Sequence, residues 1–423
     1  MTGNKITVIS DRQDILGGGT NMKIKQVGIT YRESIFLLFY GVIIGASVGV
    51  LDAIFGTVLL NITSFREEHV GWLLPFLGAV GIFIVFLYER YGQESKKGMS
   101  LVFEVGHGQR EQIPLQLIPL VVSSTWATHL FGGSAGREGV AVQIGATCSQ
   151  WIGRTIFRKK GTNIFLVAGI AAGFSGLFGT PIAAILFAME VLVTGALQYE
   201  ALLLAVSAAF MASATTAFLG LERFHVNLST DISLTGKTFC ILLVLGLVFG
   251  FVGFLFSYYL SKAKEKGKQW IVDDRKRIAI GGVLLSVILL LLHQGRYSGL
   301  GTNLIQASFD GTTIYWYDWI LKLGLTVITL AVGFQGGEVT PLFSIGASLG
   351  IIIAPFLGIP TTLGAALGYV AVFGSATNTF LAPVFIGAEV FGYEYIPYFF
   401  IVCAMAYGIN GNHSIYPLQK QIY

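Results

Sequence analysis

Apolar residues run almost without interruption from residue 35 to residue 410, in stretches that lack the one-face spacing of a soluble amphipathic helix. Several of these runs approach the roughly 20 residues that a helix needs to cross a bilayer. They include residues 35–61, 72–88, 237–260, 278–293 and 317–334. The pattern predicts an all-α integral membrane protein whose surface faces a lipid bilayer.

Other apolar runs are shorter and are broken by Gly, Pro, Thr and Asn. They cover residues 139–152, 163–176, 180–193, 341–356, 361–374 and 379–391. Such half-helices are tolerated at membrane depth only where they are buried in protein or line a polar cavity. Pairs of interrupted segments are also the best sequence pointer to the binding site of a transporter. We therefore expect half-helices that meet inside the protein.

Composition supports a membrane protein and excludes several other classes. The 423 residues include 27 Lys and Arg and 23 Asp and Glu, so 12% are charged, about half of the roughly 25% usual in soluble domains. The net charge of +4 is small and scattered, which argues against a nucleic-acid partner. We find no catalytic constellation, P-loop or metal-ligand spacing, and expect neither an enzyme nor a cofactor or metal. Cys148, Cys240 and Cys403 lie in apolar context and are predicted to be packing residues.

Clusters of basic residues predict the orientation. They lie at Arg90, Lys96 and Lys97, at Arg154, Arg158, Lys159 and Lys160, and from Lys262 to Arg277. By the positive-inside rule these clusters face the cytoplasm, and we interpret them as a topology signal. The polar N-terminal segment 1–32 adds Lys23, Lys25 and Arg32, which predicts a cytoplasmic N-terminus.

The sequence also contains an internal repeat. Residues 136–146 resemble residues 337–347, and residues 98–100 resemble 299–301, both at an offset of 201 positions. Residues 180–191 resemble 379–390 at an offset of 199. Two adjacent lysines, Lys96 and Lys97, precede the first of the paired loops, whereas the region of the second, residues 295–316, has little excess positive charge. The two halves, residues 33–220 and 221–423, are therefore predicted to be inverted relative to each other in the membrane.

The segment Gly136-Arg137-Glu138-Gly139 starts one of the half-helices. Free backbone N–H groups and the positive end of the helix dipole at bilayer depth form a site for an anion. The carboxylate of Glu138 can occupy that position itself and leave it when it is protonated or displaced. One side chain would then couple proton and anion movement, although an acidic residue in a first helical turn is also common for stability alone.

Residues 133–146, Gly-Ser-Ala-Gly-Arg-Glu-Gly-Val-Ala-Val-Gln-Ile-Gly-Ala, resemble the Gly-x-Gly-Arg-Glu-Gly-Pro signature of the CLC anion channels and proton-coupled antiporters. The resemblance implies a homodimer with one pore in each subunit, and inverted halves whose helix N-termini converge on dehydrated anions. It places Glu138 at the external gating glutamate of the family. It places Tyr416 at the central tyrosine that contacts the anion.

Three departures from the family pattern affect the predicted substrate or the predicted proton route. Met99, in Gly98-Met99-Ser100, takes the place of an anion-binding serine, and a thioether is a poor partner for chloride. Glu338 and Thr340, in Gly336-Gly337-Glu338-Val339-Thr340-Pro341, stand where apolar or small residues are usual. Val191 occupies the position of the internal proton-transfer glutamate, so the familiar inner proton route is not expected.

These departures resemble the fluoride-exporting branch of the family. Fluoride is small and strongly hydrated, and charge-assisted or hydroxyl donors are the groups that compensate for its lost water. Thr340 offers a hydroxyl, and a protonated Glu338 would donate directly. We expect Glu138 and Glu338 to carry gating and proton transfer. The expected anion-binding residues are Met99, Gly136, Arg137, Gly139, Val339, Thr340 and Tyr416.

The predicted function is a multi-pass fluoride/proton antiporter of a bacterial-type plasma membrane, a secondary active transporter that exports cytoplasmic fluoride. A chloride/proton antiporter of the same family is an alternative, against which Met99 and Glu338 argue. A passive anion channel is a second alternative, because a gating glutamate occurs in both channels and exchangers.

Overall fold

The computed structural model describes residues 31–92, 94–158, 163–228 and 232–422, and the chain is helical along most of that length. Of the predicted N-terminal segment 1–32, residues 1–30 lie outside the described residues. The helices of the first half are α1 (Tyr31–Glu68), α2 (Val70–Leu73), α3 (Leu77–Tyr91), α4 (Met99–Gly106), α5 (Leu117–Leu130), α6 (Glu138–Thr155), α7 (Asn163–Phe178), α8 (Pro181–Glu190) and α9 (Leu202–Phe218).

The second half is again a series of helices of very different lengths. They are α10 (Gly236–Trp270), α11 (Asp274–Leu291), α12 (Thr302–Asp310), α13 (Asp318–Val332), α14 (Val339–Leu357), α15 (Thr361–Thr377), α16 (Leu381–Phe391) and α17 (Ile396–Ile409). Two short strands, β1 (Val193–Thr194) and β2 (Lys420–Gln421), pair in parallel. This pairing brings the C-terminal segment back to the end of α8.

Five helical stretches in the described part are long and apolar enough to cross a membrane: Tyr31–Glu68, Val70–Tyr91, Tyr199–Phe218, Gly236–Trp270 and Val339–Leu357. Three of them match predicted spans. The helix α14 is 19 residues long, which corrects the prediction of a short broken run at 341–356. The predicted span 317–334 forms the 15-residue helix α13, because Gly333 adopts a left-handed conformation and ends it.

Large apolar side chains on the long helices point away from the protein. Ile54 on α1, Phe83 on α3 and Phe251 on α10 are each more than half exposed, as suits helices that face lipid. Cys240 on α10 is also exposed, so the prediction that it is a packing residue is wrong. Cys148 and Cys403 are buried, as predicted.

The interior is formed mainly by α6, α7, α14 and α15, and small residues bring these helices together. The helices α6 and α7 pack where Gly145 meets the backbone of Gly169, and α14 and α15 pack where Gly346 meets Gly368. A Cβ atom at any of these glycines would collide with the facing backbone. Such close packing of small residues is typical of membrane helices, and it fixes the starts of α6 and α14 in place.

Two glutamates at matching positions of the repeat cap each other's helices. Glu190 ends α8 and accepts hydrogen bonds from the backbone N–H groups of Leu381 and Ala382, at 3.2 and 2.9 Å, at the start of α16. Glu389 on α16 accepts from Ile182 and Ala183, at 3.1 and 2.8 Å, at the start of α8. These bonds give both glutamates a structural role at the helix starts.

Candidate anion and proton site

Two loops from different halves of the chain meet in the interior. The backbone N–H of Gly136 donates to the carbonyl of Gly337 at 2.6 Å, and the N–H of Gly337 donates back to Gly136 at 2.8 Å. A Cβ at Gly136 would lie 2.8 Å from Cδ of Pro341, and one at Gly337 would lie 2.9 Å from the backbone nitrogen of Gly139. Only glycine allows this approach, which holds the starts of α6 and α14 side by side.

The carboxylate of Glu138 is bound by the start of α14. The hydroxyl of Thr340 lies 2.6 Å from Oε2 and 2.7 Å from Oε1, and the backbone N–H of Thr340 donates to Oε2 at 3.1 Å. The N–H of Arg137 adds a longer bond of 3.3 Å. The side chain is 1% exposed, and the α14 dipole presents its positive end to it. Glu138 therefore occupies a position whose donors suit an anion.

Arg137 and Tyr369 surround this carboxylate. Nε of Arg137 lies 3.7 Å from Oε1 of Glu138. Among the described residues, Nε and Nη1 of Arg137 are buried without a hydrogen-bond partner. Tyr369 on α15 is buried, interacts electrostatically with Glu138 and Arg137, and stacks on Phe343 with ring centroids 4.0 Å apart. The site therefore contains a positive charge and donors beyond those that hold Glu138.

Glu338 is the residue immediately before α14, and it reaches toward both α6 and α10. Its Oε1 lies 3.8 Å from Nζ of Lys264 on α10. If Gly139, next to the start of α6, carried a Cβ atom, that atom would lie 3.7 Å from Oε2 of Glu338. The Glu338 side chain is 15% exposed, in contrast to the fully enclosed Glu138. The second carboxylate thus stands between the enclosed site and the basic end of α10.

Tyr416 joins the site from the C-terminal segment. It is buried, and its ring centroid lies 5.3 Å from that of Phe103 on α4 and 6.5 Å from that of Phe187 on α8. It interacts electrostatically with Glu338 and with Glu138. The tyrosine therefore lies near both carboxylates, and its contact with the anion stays a prediction.

Met99 belongs to α4, whereas the two carboxylates lie at the starts of α6 and α14. Met99 begins α4 and packs, half-buried, against the main core. A Cβ atom at the preceding residue, Gly98, would lie 3.4 Å from Oε1 of Gln143 on α6. Gln143 in turn donates from Nε2 to the carbonyl of Gly139 at 3.1 Å, and its buried Oε1 has no hydrogen-bond partner in the described part of the chain. Gln143 is thus the link between the loop of Met99 and the start of α6.

The structure brings most of the predicted site residues into one cluster at the starts of α6 and α14. The members are Gly136, Arg137, Glu138, Gly139, Glu338, Val339 and Thr340. Tyr416 adjoins this cluster, and the loop of Met99 meets Gln143 on α6 next to Gly98. Val191, which the resemblance places at the position of the internal proton-transfer glutamate, is completely buried.

Three residues near the site were not predicted. Gln143 follows Gly139 by one helical turn, so helical spacing offered a signal for it. Lys264 belongs to a basic cluster that we interpreted as a topology signal. Tyr369 comes from α15, and no local pattern in the sequence marks it.

The sequence model of the family described as "Voltage gated chloride channel" matches residues 80–411. A "Chloride/fluoride channel protein" of Pseudomonas syringae pv. tomato is 37% identical over 382 residues, which are 88% of this chain and 83% of that protein.

Solved structures agree with these sequence matches. One described as a CLC-type fluoride/proton antiporter superposes with a TM-score of 0.91 at 52% identity, and covers 93% of this chain and 99% of the other. A slow cyanobacterial Cl−/H+ antiporter superposes with a TM-score of 0.77 at 18% identity over 90% of this chain and 96% of the other, which shows a shared fold. The predicted fold class is thereby confirmed.

Proposed function

Because the chain belongs to the voltage-gated chloride channel (CLC) family, we propose that it is a fluoride/proton antiporter, a secondary active transporter that exports cytoplasmic fluoride. The structure at 52% identity is described as a fluoride/proton antiporter, and the relative at 37% identity has fluoride in its name. Both matches extend over most of this chain, so the proposal concerns the whole membrane region.

The observation that carries the proposal is the position of the Glu138 carboxylate on the hydroxyl and amide of Thr340. An anion that needs the same donors must displace this carboxylate. Protonation removes the charge of Glu138 and weakens its bonds to those donors. Fluoride and the proton therefore act on the same side chain, which couples their movements.

A cycle follows from this competition. With Glu138 ionised and bound to Thr340, the carboxylate fills the anion position and blocks it. Fluoride that arrives from the basic end takes the donors of Thr340, and the displaced Glu138 accepts a proton from the opposite side. After fluoride has left, the protonated Glu138 returns to Thr340 and carries its proton inward. Glu338, which pairs with Lys264 at the basic end, is the next carboxylate on that side.

The donor set favours fluoride over chloride. The Thr340 hydroxyl and backbone amide converge on one point, and short, strong hydrogen bonds suit a small, hard anion. A protonated Glu338 would add a donor. Met99 supplies a thioether at the position where the family's chloride proteins have a serine hydroxyl.

A passive anion channel is the second candidate, because the relative from Pseudomonas syringae is described as a channel protein. The two candidates differ in proton coupling. A channel conducts fluoride along its own gradient only, whereas an antiporter moves a proton in the opposite direction for the fluoride it exports.

We further propose a homodimer with one pore per subunit, in the plasma membrane, with the basic helix ends and the N-terminus in the cytoplasm. The basic clusters support this orientation by the positive-inside rule. They include Lys96, Lys97 and the residues from Lys262 to Arg277.

The test is reconstitution of the purified protein in liposomes with an outward fluoride gradient, recorded with a fluoride electrode and an internal pH dye. We expect fluoride efflux accompanied by acidification of the interior. Fluoride efflux at constant internal pH would support the channel instead.

A further inference from the structure

The lysines at the end of α10 face different directions. Leu260 is buried, and Lys264 and Gly267 are partly buried. Their spacing of four and three residues places them on one face of the helix, the face that meets the protein. The remaining lysines of this end are exposed: Lys262, Lys266 and Lys268. Lys264 therefore points inward, whereas its neighbours point to solvent.

The acid that faces Lys264 belongs to the candidate site. Nζ of Lys264 lies 3.8 Å from Oε1 of Glu338. Other basic side chains at this end of the molecule pair with acids outside the site: Lys96 and Arg277 with Asp274, Lys97 and Arg110 with Glu104, Lys262 with Glu265, and Arg275 with Glu89. Among these described ion pairs, the pair of Lys264 is the one that reaches the site.

The exposure and the length of the Lys264–Glu338 ion pair suit an exchange of Glu338 for another anion. The Lys264 side chain is 38% exposed and that of Glu338 is 15% exposed, so an anion approaching from the basic end meets the ammonium group first. The separation of 3.8 Å is longer than the roughly 2.7–2.9 Å of a strong charge-assisted hydrogen bond. The ammonium is therefore held near the carboxylate without being locked to it.

We propose that Lys264 admits fluoride from the basic end by exchanging its ion pair with Glu338 for one with the incoming anion. The proposal rests on the proposed fluoride transport and assigns a residue to its first step. Fluoride bound at Lys264 lies beside Glu338, whose other carboxylate oxygen faces Gly139 at the start of α6. The anion then has a path from the ammonium to the donors at the helix starts.

The first test compares Lys264→Met with Lys262→Met in liposomes. Both changes remove one positive charge from the same helix end, but Lys262 is exposed and pairs with Glu265. For Lys264→Met we expect the KM for fluoride at the basic end to rise roughly threefold to tenfold, with kcat changed less than about twofold. Lys262→Met should leave KM near the wild-type value, and Lys264→Arg should restore most of the affinity. Equal KM values in Lys264→Met and Lys262→Met would overturn the proposal.

The second test restores the charge chemically within one folded protein. In a Cys240→Ser background, which removes the exposed cysteine, Lys264→Cys is treated with a trimethylammonium or a sulfonate methanethiosulfonate. These reagents do not cross the membrane, so they act on molecules whose basic end faces the added solution. We expect the trimethylammonium group to lower the fluoride KM and the sulfonate group to raise it. Equal effects of both reagents would overturn the proposal.

Different outcomes test the proposed fluoride transport and the proposed role of Lys264. Absence of fluoride transport by the wild-type protein in the same liposomes contradicts the proposed function. Normal wild-type transport with an unchanged KM in Lys264→Met contradicts only the role of Lys264.

Discussion

The hydroxyl of Thr340 lies 2.6 Å from one carboxylate oxygen of Glu138 and 2.7 Å from the other, although the two residues belong to different halves of the chain. The contact crosses the junction at which Gly136 and Gly337 exchange backbone hydrogen bonds. A carboxylate from one half thus occupies the proposed anion position formed by the other half, and this relationship underlies the proposed exchange.

Removal of the Thr340 hydroxyl is predicted to weaken fluoride binding. A hydrogen bond to a charged group contributes about 1.5–3 kcal/mol, so Thr340→Val should raise the fluoride KM about 10- to 100-fold. Thr340→Ser keeps the hydroxyl and should stay within a few fold of the wild type. Fluoride flux from liposomes at varied fluoride concentration measures both values. If the Ser variant loses as much affinity as the Val variant, the hydroxyl is not the donor.

Glu138→Gln is predicted to abolish proton coupling, because the amide neither binds nor releases a proton in the physiological range. Simultaneous recording of fluoride efflux and internal pH should show no opposing proton movement. The matched control is Glu389→Gln, a change of a partly buried glutamate that caps a helix, and it should retain coupling. Unchanged proton movement in Glu138→Gln would refute the gate assignment.

Glu338→Ala is expected to stop fluoride exchange, because it removes the carboxylate between Lys264 and the start of α6. Flux measurements with fluoride and with chloride test this expectation. If chloride transport appears at full rate while fluoride transport is lost, Glu338 acts in selectivity alone and not in the exchange step.

Met99→Ser is predicted to increase chloride transport relative to fluoride, because it restores a hydroxyl that hydrogen-bonds a larger anion. The effect should be smaller than that of Thr340→Val, since Thr340 contacts the Glu138 carboxylate directly, whereas the loop of Met99 meets Gln143 on α6. Paired chloride and fluoride flux assays give the ratio, with Met99→Leu as a control that changes the side chain without adding a donor. An equal chloride rate in the Ser and Leu variants would contradict the prediction.

The reciprocal caps are predicted to support the fold and not the transport chemistry. Glu190→Gln and Glu389→Gln each remove a charge from a helix start, which should lower the free energy of unfolding by about 1–2 kcal/mol. Thermal unfolding in detergent measures the loss. Proton coupling per fluoride should be unchanged in the variants that remain folded, and its loss in Glu190→Gln would show that this residue carries protons.

The helix starts next to Glu138 and Glu338 were predictable because breaks in apolar runs mark helix ends, although α14 is longer than predicted. The Gly136 and Gly337 motifs match in the repeat, but the hydrogen bonds between their loops were not predicted. The sequence did not reveal that Thr340 holds Glu138, because side chains 202 positions apart meet only through packing of the two halves.

The contact of Lys264 with Glu338 was not predicted, for a different reason. The positive-inside rule alone explains a basic cluster at the end of a membrane helix. A count of charges does not distinguish a lysine that points inward from its exposed neighbours. Only the rotation of α10 against the protein places Lys264 beside Glu338 and leaves Lys262 in solvent.

The central claim, coupling of fluoride to protons at one carboxylate, is tested most directly by uphill transport. Liposomes containing the wild-type protein start with equal fluoride on both sides, the membrane potential is clamped to zero with potassium and valinomycin, and the outside is acidified. The account predicts that fluoride moves out of the liposomes against its growing gradient while protons enter, and that Glu138→Gln does not show this movement. Fluoride that stays at equal concentrations on both sides in the wild type would contradict the account.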